Sequence, residues 1–244
     1  MVALQIFSKI DIGKTRKSNQ DAYYTVKLSD ESAIVLVCDG MGGANAGNVA
    51  SETAIKLIAD YILKSYRPNM SVNDIEKIIC NAISSANIEL YDMSRSNPEL
   101  NGMGTTLVAA HIKNNLAFIC NVGDSRAYII DDDITQITRD HSVVQSLIES
   151  GKLTIEEARV HPRKNVITKA LGAEENIIPD CFEQRLGSGN YLLFCTDGLT
   201  NYVEPSEILK IIKNNDAETI SEILVDLANS NGGGDNITVV LVAV

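Results

Sequence analysis

An apolar stretch bordered by an aspartate recurs along this chain of 244 residues, and that repetition limits the folds open to it. In three places the aspartate follows the stretch, as where AIVLVC ends in Asp39-Gly40, and in two places it precedes the stretch. Such stretches are typical of buried strands, and strand ends in a sheet lie close together. The pattern therefore predicts carboxylates gathered at one rim. The five aspartates are Asp21, Asp39, Asp124, Asp197 and Asp235.

Each Asp-Gly pair alone has a simpler interpretation as a turn, because this dipeptide favours tight turns. Five such carboxylates together need another explanation, since a buried cluster repels itself unless cations neutralise it. Oxygen ligands without sulfur or imidazole favour Mg²⁺ or Mn²⁺, with Ca²⁺ as the alternative. The net charge of −11 is compatible with cation binding and also with solubility alone.

Composition excludes several classes of protein. With 45% hydrophobic and 22% charged residues, the chain is neither disordered, collagen-like nor a coiled coil. Its acidity argues against nucleic-acid binding, which requires a basic surface. No apolar run is long enough to span a membrane, and the N-terminus lacks a signal-peptide pattern. We therefore expect a cytoplasmic protein that binds neither nucleic acid nor membrane.

The five cysteines are an odd number without CxxC spacing. Three of them, Cys38, Cys120 and Cys195, lie within apolar stretches and are interpreted as reduced, buried side chains of a cytoplasmic protein. With only three histidines and no Cys/His cluster, a zinc site is not expected.

The apolar spacing predicts strands, helices, strands, helices and a last strand, which indicates layered sheets covered by helices. Without a repeat or a linker, residues 1–244 are predicted to form a single domain. Residues 40–47 are predicted to form a glycine-rich turn. The predicted strands are 2–10, 22–28, 33–38, 105–112, 116–122, 126–130, 191–195 and 236–243, and the predicted helices are 48–65, 72–93, 142–150, 154–160, 205–213 and 217–230.

Arg16 lies five residues before Asp21 in the segment DIGKTRKSNQD. Beside a metal centre, a guanidinium is suited to phosphate because its planar fork bonds two oxygens at once. The alternative interpretation of Arg16 is a surface ion pair.

The motifs that hold these residues resemble those of the metal-dependent type 2C (PPM) protein serine/threonine phosphatases, in particular their short bacterial branch. Their order and spacing cover nearly the whole chain. The motifs are DIGKTRKSNQDAY at 11–23, VCDGMGGANAG at 37–47, GMGTTLVAA at 102–110, NVGDSRAY at 121–128, ITRDHS at 137–142, FCTDGLTN at 194–201 and GGGDNITVV at 232–240.

The resemblance implies an α+β fold, a four-layer αββα sandwich of two antiparallel sheets flanked by helices. It also implies two to three Mn²⁺ or Mg²⁺ ions. Asp39 would bridge two of them, Asp197 and Asp235 would hold one, and the Gly40 carbonyl would help to hold the other, with waters and Asp21 completing the shells. Asp124 would join Asp197 at a third ion.

The implied activity is hydrolysis of phosphoserine and phosphothreonine by a water that bridges two ions, while Arg16 binds the phosphate. The implied catalytic residues are Arg16, Asp39, Asp197 and Asp235. The implied partners are phosphoproteins, including a cognate serine/threonine kinase, and the protein would be a monomer. No protein nucleophile is required.

Some features depart from the family or need their own interpretation. Met41 stands where many eukaryotic relatives have histidine, so a general acid there is absent. His141 is more often structural in its motif, His161 is a weaker candidate, and Gln20 would reach a metal only through water. Residues 142–170 are expected to form a flap beside the site, with a solvated helical hairpin as the alternative.

Two other functions compete with the phosphatase hypothesis. One is a binding or signalling module of the same fold without catalysis, which usually lacks a metal aspartate or the arginine; all are present here. The other is a metal-dependent phosphoesterase acting on small molecules, which the motifs alone do not distinguish.

Overall fold

Eleven strands form two antiparallel sheets in residues 3–43 and 46–244, which the computed structural model describes. Residues 1, 2, 44 and 45 lie outside this description, and with them parts of the predicted first strand and of the predicted turn at 40–47. In chain order the strands are β1 (Gln5–Asp11), β2 (Asp21–Ser29), β3 (Ser32–Met41), β4 (Gly104–Thr105), β5 (Leu107–Lys113), β6 (Leu116–Val122), β7 (Arg126–Ile130), β8 (Ile134–Gln136), β9 (Asp180–Arg185), β10 (Tyr191–Cys195) and β11 (Ile237–Ala243).

Helices cover the outer face of each sheet. The helices are α1 (Ala46–Ser65), α2 (Val72–Ser96), α3 (Val143–Glu149), α4 (Ile155–Arg159), α5 (Asp197–Thr200), α6 (Pro205–Asn214) and α7 (Ala217–Ser230), and a short 3₁₀ turn spans Pro98–Leu100. In the described part of the chain, no helix is both long and apolar enough to span a membrane.

The two sheets pack face to face in a four-layer arrangement, which confirms the predicted fold class. One sheet has the strand order β1-β11-β10-β7-β8, and the other has the order β2-β3-β5-β6-β9, with β4 paired to β3. The helices α1 and α2 pack on the second sheet, and α5, α6 and α7 pack on the first. A separate apolar core fills the space between the sheets.

Strand β3 shows why central strands of this fold are apolar throughout. Its residues Ile34 and Leu36 face the helices, whereas Val35 and Val37 face the other sheet. All four are at most 1% exposed. A strand buried on both faces reads as a continuous apolar run, as AIVLVC does.

The helix α2 begins where a cap and an apolar stripe coincide. The Ser71 hydroxyl accepts a hydrogen bond from the Asp74 backbone N–H, which satisfies a free donor of the first turn. Ile75, Ile79 and Ile83 follow on one face and are buried against the sheet. The helix extends three residues beyond the predicted end at 93.

Three predictions of secondary structure near the aspartates were wrong. Strand β3 continues through Asp39 and Gly40, which pair with Asp21 and Thr105, so the alternative of a turn at this Asp-Gly pair is wrong. The predicted strand 105–112 is two strands, β4 and β5, separated at Thr106. Asp197 begins the short helix α5, which was not predicted.

The prediction that Cys120 is a reduced thiol is also wrong in this structure. Cys120 of β6 lies directly opposite Cys181 of β9, with Cα atoms 4.1 Å apart, and the two form a disulfide. The prediction missed the bond because it missed β9, which places the second cysteine. Cys38 and Cys195 are free and buried, and Cys80 is free and half-buried.

Candidate active site

Strand ends from both sheets meet at one cleft of about 250 Å³. Asp39 near the end of β3 and Asp124 after β6 reach it from the six-stranded sheet. Asp197 after β10 and Asp235 before β11 reach it from the five-stranded sheet. The structure thus brings together four of the five aspartates singled out in the sequence.

Asp21, the first residue of β2, does not line this cleft and is only 6% exposed. Its Oδ2 accepts hydrogen bonds from the hydroxyls of Thr196, at 2.8 Å, and Thr238, at 2.7 Å. Both threonines belong to the opposite sheet or its continuation, so Asp21 ties the two sheets together at the rim. Its Oδ1 is buried and has no hydrogen-bond partner among the residues that the structure describes.

Hydrogen bonds fix both the N–H and the carbonyl of Asp39. The direction of its carboxylate is therefore set by the strand. Its N–H donates to the Thr106 hydroxyl at 2.9 Å, and its carbonyl accepts from the Thr106 N–H and the Thr105 hydroxyl, each at 2.9 Å. The Thr106 hydroxyl also lies 2.7 Å from the Ser125 hydroxyl. These residues support the aspartate, which explains why β4 and β5 are separated at Thr106.

Asp197 stands at the N-terminus of α5, and its Oδ2 accepts a hydrogen bond from Asn201 at 2.8 Å. Its Oδ1 is buried and, like one oxygen of Asp21, finds no hydrogen-bond partner in residues 3–43 and 46–244. The helix can approach β11 because position 198 is glycine: a Cβ there would collide with the Asn236 carbonyl. The positions of Asp197 and Asp235 therefore depend on the close approach of α5 to β11.

The carboxylates are poorly solvated and repel one another, and both effects raise their pKa values. Burial, reinforced by neighbouring aspartates, raises the pKa of Asp21 to about 7 and that of Asp124 to about 8. Burial followed by the charges of Asp21 and Asp197 raises the pKa of Asp39 well above its usual range. Burial and the charge of Asp235 also raise the pKa of Asp197.

Divalent cations fit this site on two grounds. A cluster of carboxylates with raised pKa values requires either protons or cations to neutralise it. Two buried oxygens, Oδ1 of Asp21 and Oδ1 of Asp197, lack any partner in the described part of the chain. A buried oxygen without a partner is costly unless a ligand satisfies it. The donors are all oxygens, which favours hard ions.

Arg16 lies at the edge of the cleft with its side chain 48% exposed. Its Nη2 donates to Oδ2 of Asp235 at 2.7 Å, and its Nε donates to the Gly234 carbonyl at 3.4 Å. The ion pair that was the alternative interpretation of Arg16 is therefore present, but its partner is an aspartate of the cleft. Arg16 is within reach of a ligand bound there.

Only some of the remaining candidate residues line the cleft. Gly40, Met41 and Gln20 line the cleft, whereas His141 and His161 do not. The Nδ1 of His141 accepts a hydrogen bond from the Gly123 N–H at 3.0 Å, so His141 holds the turn that carries Asp124.

Asn236 is a residue of the cleft that the sequence analysis missed. Its Oδ1 accepts from the Gln20 N–H at 2.8 Å, and its Nδ2 donates to the carbonyls of Ile12 and Ser18 at 2.9 and 3.1 Å. It thereby fastens the segment that contains Arg16 to the start of β11. Its position directly after Asp235 in GGGDN was the available signal.

The segment 142–170 lies beside the cleft through its last residues. Asn165 and Ile167 line the wall, and Ile167 forms a bridge with Ser142. The helices α3 and α4 occupy the middle of the segment and are separated by Gly151, which has a φ of 70°.

Comparisons with known proteins agree with this geometry. The family described as Protein phosphatase 2C matches residues 14–227. The chain is 41% identical over 238 residues to the serine/threonine phosphatase stp of Listeria innocua, an alignment that covers 96% of this chain and 93% of the relative.

Solved structures show the same fold over the full length. The serine/threonine phosphatase Stp1 from Staphylococcus aureus superimposes with a TM-score of 0.91 at 38% identity, covering 100% of this chain and 95% of the other. The catalytic domain of the phosphatase PstP, in complex with 2 manganese ions, gives a TM-score of 0.84 at 30% identity, covering 99% and 98%. The chain therefore belongs to the protein phosphatase 2C family and is a metal-dependent serine/threonine phosphatase.

Proposed function

We propose that the protein removes phosphate from phosphoserine and phosphothreonine in other proteins, and that Mn²⁺ or Mg²⁺ held by the aspartates of the cleft is required. The observation that carries this proposal is the convergence of Asp39, Asp124, Asp197 and Asp235 on a cleft with Arg16 at its edge. When bound, a pair of such ions supplies an acidified water as nucleophile and offsets charge on the phosphoryl oxygens.

We assign the ion ligands as follows. Asp39 would hold two ions, Asp197 and Asp235 would hold one of them, and the Gly40 carbonyl would help to hold the other, with waters and Asp21 completing the shells. The unpartnered oxygens of Asp21 and Asp197 support their place in this set. Asp124 contributes with Asp197 to a third, weaker position, which its location in the cleft and its raised pKa support.

The role proposed for Arg16 is to orient the phosphate. In the structure its guanidinium pairs with Asp235, so a cation on that carboxylate would compete with Arg16 for it. When Asp235 no longer pairs with it, the planar guanidinium of Arg16 is free to donate hydrogen bonds to two phosphoryl oxygens. Arg16 then adds positive charge where negative charge develops during hydrolysis.

We further propose that residues 1–244 act as one catalytic domain, with 142–170 as a flap beside the cleft. Asn165 and Ile167 in the cleft wall support the flap assignment. The protein is proposed to act in the cytoplasm as a monomer and to oppose a cognate serine/threonine kinase. These last assignments rest on family resemblance.

The proposed function is tested by hydrolysis of a phosphothreonine peptide after complete chelation of metals and again after addition of Mn²⁺ or Mg²⁺. We expect turnover to vanish on chelation and to return with either ion, at different maximal rates. Parallel assays with small phosphate monoesters compare catalytic efficiencies, kcat/KM, and we expect the phosphopeptide to be the better substrate. Turnover that persists in the chelated enzyme would contradict the requirement for metal.

A further inference from the structure

Three cysteines meet at the edge of the six-stranded sheet, and none of them lines the cleft. The sulfur atoms of Cys80, Cys120 and Cys181 all lie within 4.8 Å of one another. Cys120 is buried on β6, Cys181 is exposed on the edge strand β9, and Cys80 reaches them from α2, which packs over this face. Cys120 and Cys181 form the disulfide, whereas Cys80 remains a free thiol next to it.

Two carboxylates accompany these sulfurs. Glu76 lies one helical turn before Cys80, on the same side of α2, and Glu183 lies two residues after Cys181, on the same face of β9. The two are close enough that the charge of Glu183 adds to burial in raising the pKa of Glu76. One oxygen of Glu76, Oε1, is buried and has no hydrogen-bond partner among the described residues. The cluster therefore collects electron-rich groups and leaves a carboxylate oxygen unsatisfied.

We infer that the reduced cluster is a binding site for one thiophilic divalent ion of the Zn²⁺ class, held by Cys80, Cys120 and Cys181, with Glu76, which lies outside this group of sulfurs, moving in as fourth ligand. Thiolates on a tetrahedral Zn²⁺ lie about 2.3 Å from the ion and hence about 3.8 Å from each other. The three sulfurs lie within 4.8 Å of one another, and breaking the disulfide allows Cys120 and Cys181, which are bonded in the structure, to separate toward that spacing. Sulfur ligands select ions that the oxygen ligands of the cleft do not favour.

The disulfide and the ion exclude each other because both use the sulfurs of Cys120 and Cys181. A dithiol reductant supplies two electrons and two protons, which breaks the S–S bond and yields two thiols, while the reductant becomes a disulfide. Binding of the ion then displaces the protons of three thiols to solvent. The site would thus be occupied only in the reduced protein. Cys181, being exposed, gives reductant and ion access to it.

The test uses Cd²⁺ and Co²⁺ as probes, because their thiolate complexes have charge-transfer absorption that carboxylate complexes lack. The full-length protein is reduced, freed of reductant without oxygen and titrated. We expect thiolate absorption that saturates at one ion per chain, and none in the disulfide form. The variant Asp39→Asn, altered in the carboxylate cleft, should show the same absorption as the unmodified protein.

Two variants test the ligand assignment, each checked for folding by circular dichroism. Cys80→Ser, at a half-buried position, should weaken binding at least tenfold and reduce the absorption per ion. Glu76→Gln should keep the absorption and weaken binding. The inference is overturned if the folded, reduced protein shows no thiolate absorption, or if Cys80→Ser binds as well as the unmodified protein. Unchanged affinity in Glu76→Gln would remove Glu76 from the site.

Discussion

At the scale of single residues, the site depends on side chains held in states that are unfavourable without a ligand. Asp21 is buried, with two threonine hydroxyls donating to one oxygen and no described residue donating to the other. The sequence was sufficient to single out Asp21, because it borders a strand. It did not reveal Thr196 and Thr238, since a threonine in a buried strand acquires its partner only when the two sheets pack together. The pairing of Arg16 with Asp235 depends on tertiary structure in the same way.

The first prediction concerns Arg16 at the cleft edge. Arg16→Ala should raise KM for a phosphothreonine peptide by about tenfold or more, because charge-assisted hydrogen bonds are worth about 1.5–3 kcal/mol. Affinity for Mn²⁺ should not weaken, because Arg16 is not a ligand and its loss frees the Asp235 carboxylate with which it pairs. Steady-state kinetics at saturating Mn²⁺ measure the effect. Arg16→Lys keeps the charge but lacks the planar guanidinium, so its KM should lie between those of the unmodified protein and Arg16→Ala. An unchanged KM in Arg16→Ala would remove Arg16 from the phosphate site.

At the scale of secondary structure, the elements that the sequence predicted are those with a strong burial pattern. Strands β3, β5, β6, β10 and β11 are buried on both faces, and the amphipathic helices α1, α2, α6 and α7 cover them. The missed elements lack that signal. Strand β9 lies at a sheet edge and alternates half-buried and exposed residues, β8 has three residues, and α5 has four. Missing β9 also meant missing the Cys120–Cys181 pair.

The second prediction concerns the approach of α5 to β11. A methyl group at position 198 would collide with the Asn236 carbonyl, so Gly198→Ala must displace Asp197, Asp235 or both. We expect a loss of about 1–3 kcal/mol in the free energy of unfolding, typical of overpacking. Weaker Mn²⁺ binding should accompany this loss. Denaturant unfolding and Mn²⁺ titration measure both effects.

The matched control for Gly198→Ala is Gly187→Ala. A Cβ at position 187 meets its nearest neighbour, Asn190 Oδ1, at 3.4 Å, which is ordinary contact. That variant should keep both stability and Mn²⁺ affinity. If Gly198→Ala also bound Mn²⁺ as the unmodified protein does, the close approach would not be what positions the ligands.

At the scale of the whole molecule, two antiparallel sheets packed face to face bring strand ends from opposite layers to one rim. Asp39 and Asp124 come from one sheet, and Asp197 and Asp235 come from the other. Aspartates of opposite sheets therefore become neighbours only when the two sheets pack together. The folded protein concentrates negative charge at this rim. Its stability should therefore depend on what neutralises that charge.

The third prediction concerns pH and metal together. The folded-state pKa values of Asp21, about 7, and Asp124, about 8, lie above the ordinary value of 3.8. The folded metal-free protein therefore binds more protons than the unfolded chain between about pH 4 and pH 8, and stability is lost as the pH rises through that range. We expect the Tm of the chelated protein to fall by several degrees between pH 5 and pH 8, as measured by thermal unfolding.

Saturating Mn²⁺ should reduce or remove that fall, because the ion replaces the protons as the neutralising charge. Asp124→Asn, which removes one of the raised carboxyls, should make the metal-free curve flatter. A metal-free Tm that rises steadily from pH 5 to pH 8 would contradict the proposed origin of the effect.

The most direct test of the carboxylate cluster as the catalytic metal centre is the turnover number of Asp39→Asn on a phosphothreonine peptide at saturating Mn²⁺. Asp132→Asn, a change of the same chemistry at an exposed position, is the control. Because Asp39 is assigned to both ions, we predict a loss in kcat of about two orders of magnitude or more, with the control unaffected. Full activity in a folded Asp39→Asn protein would contradict the assignment.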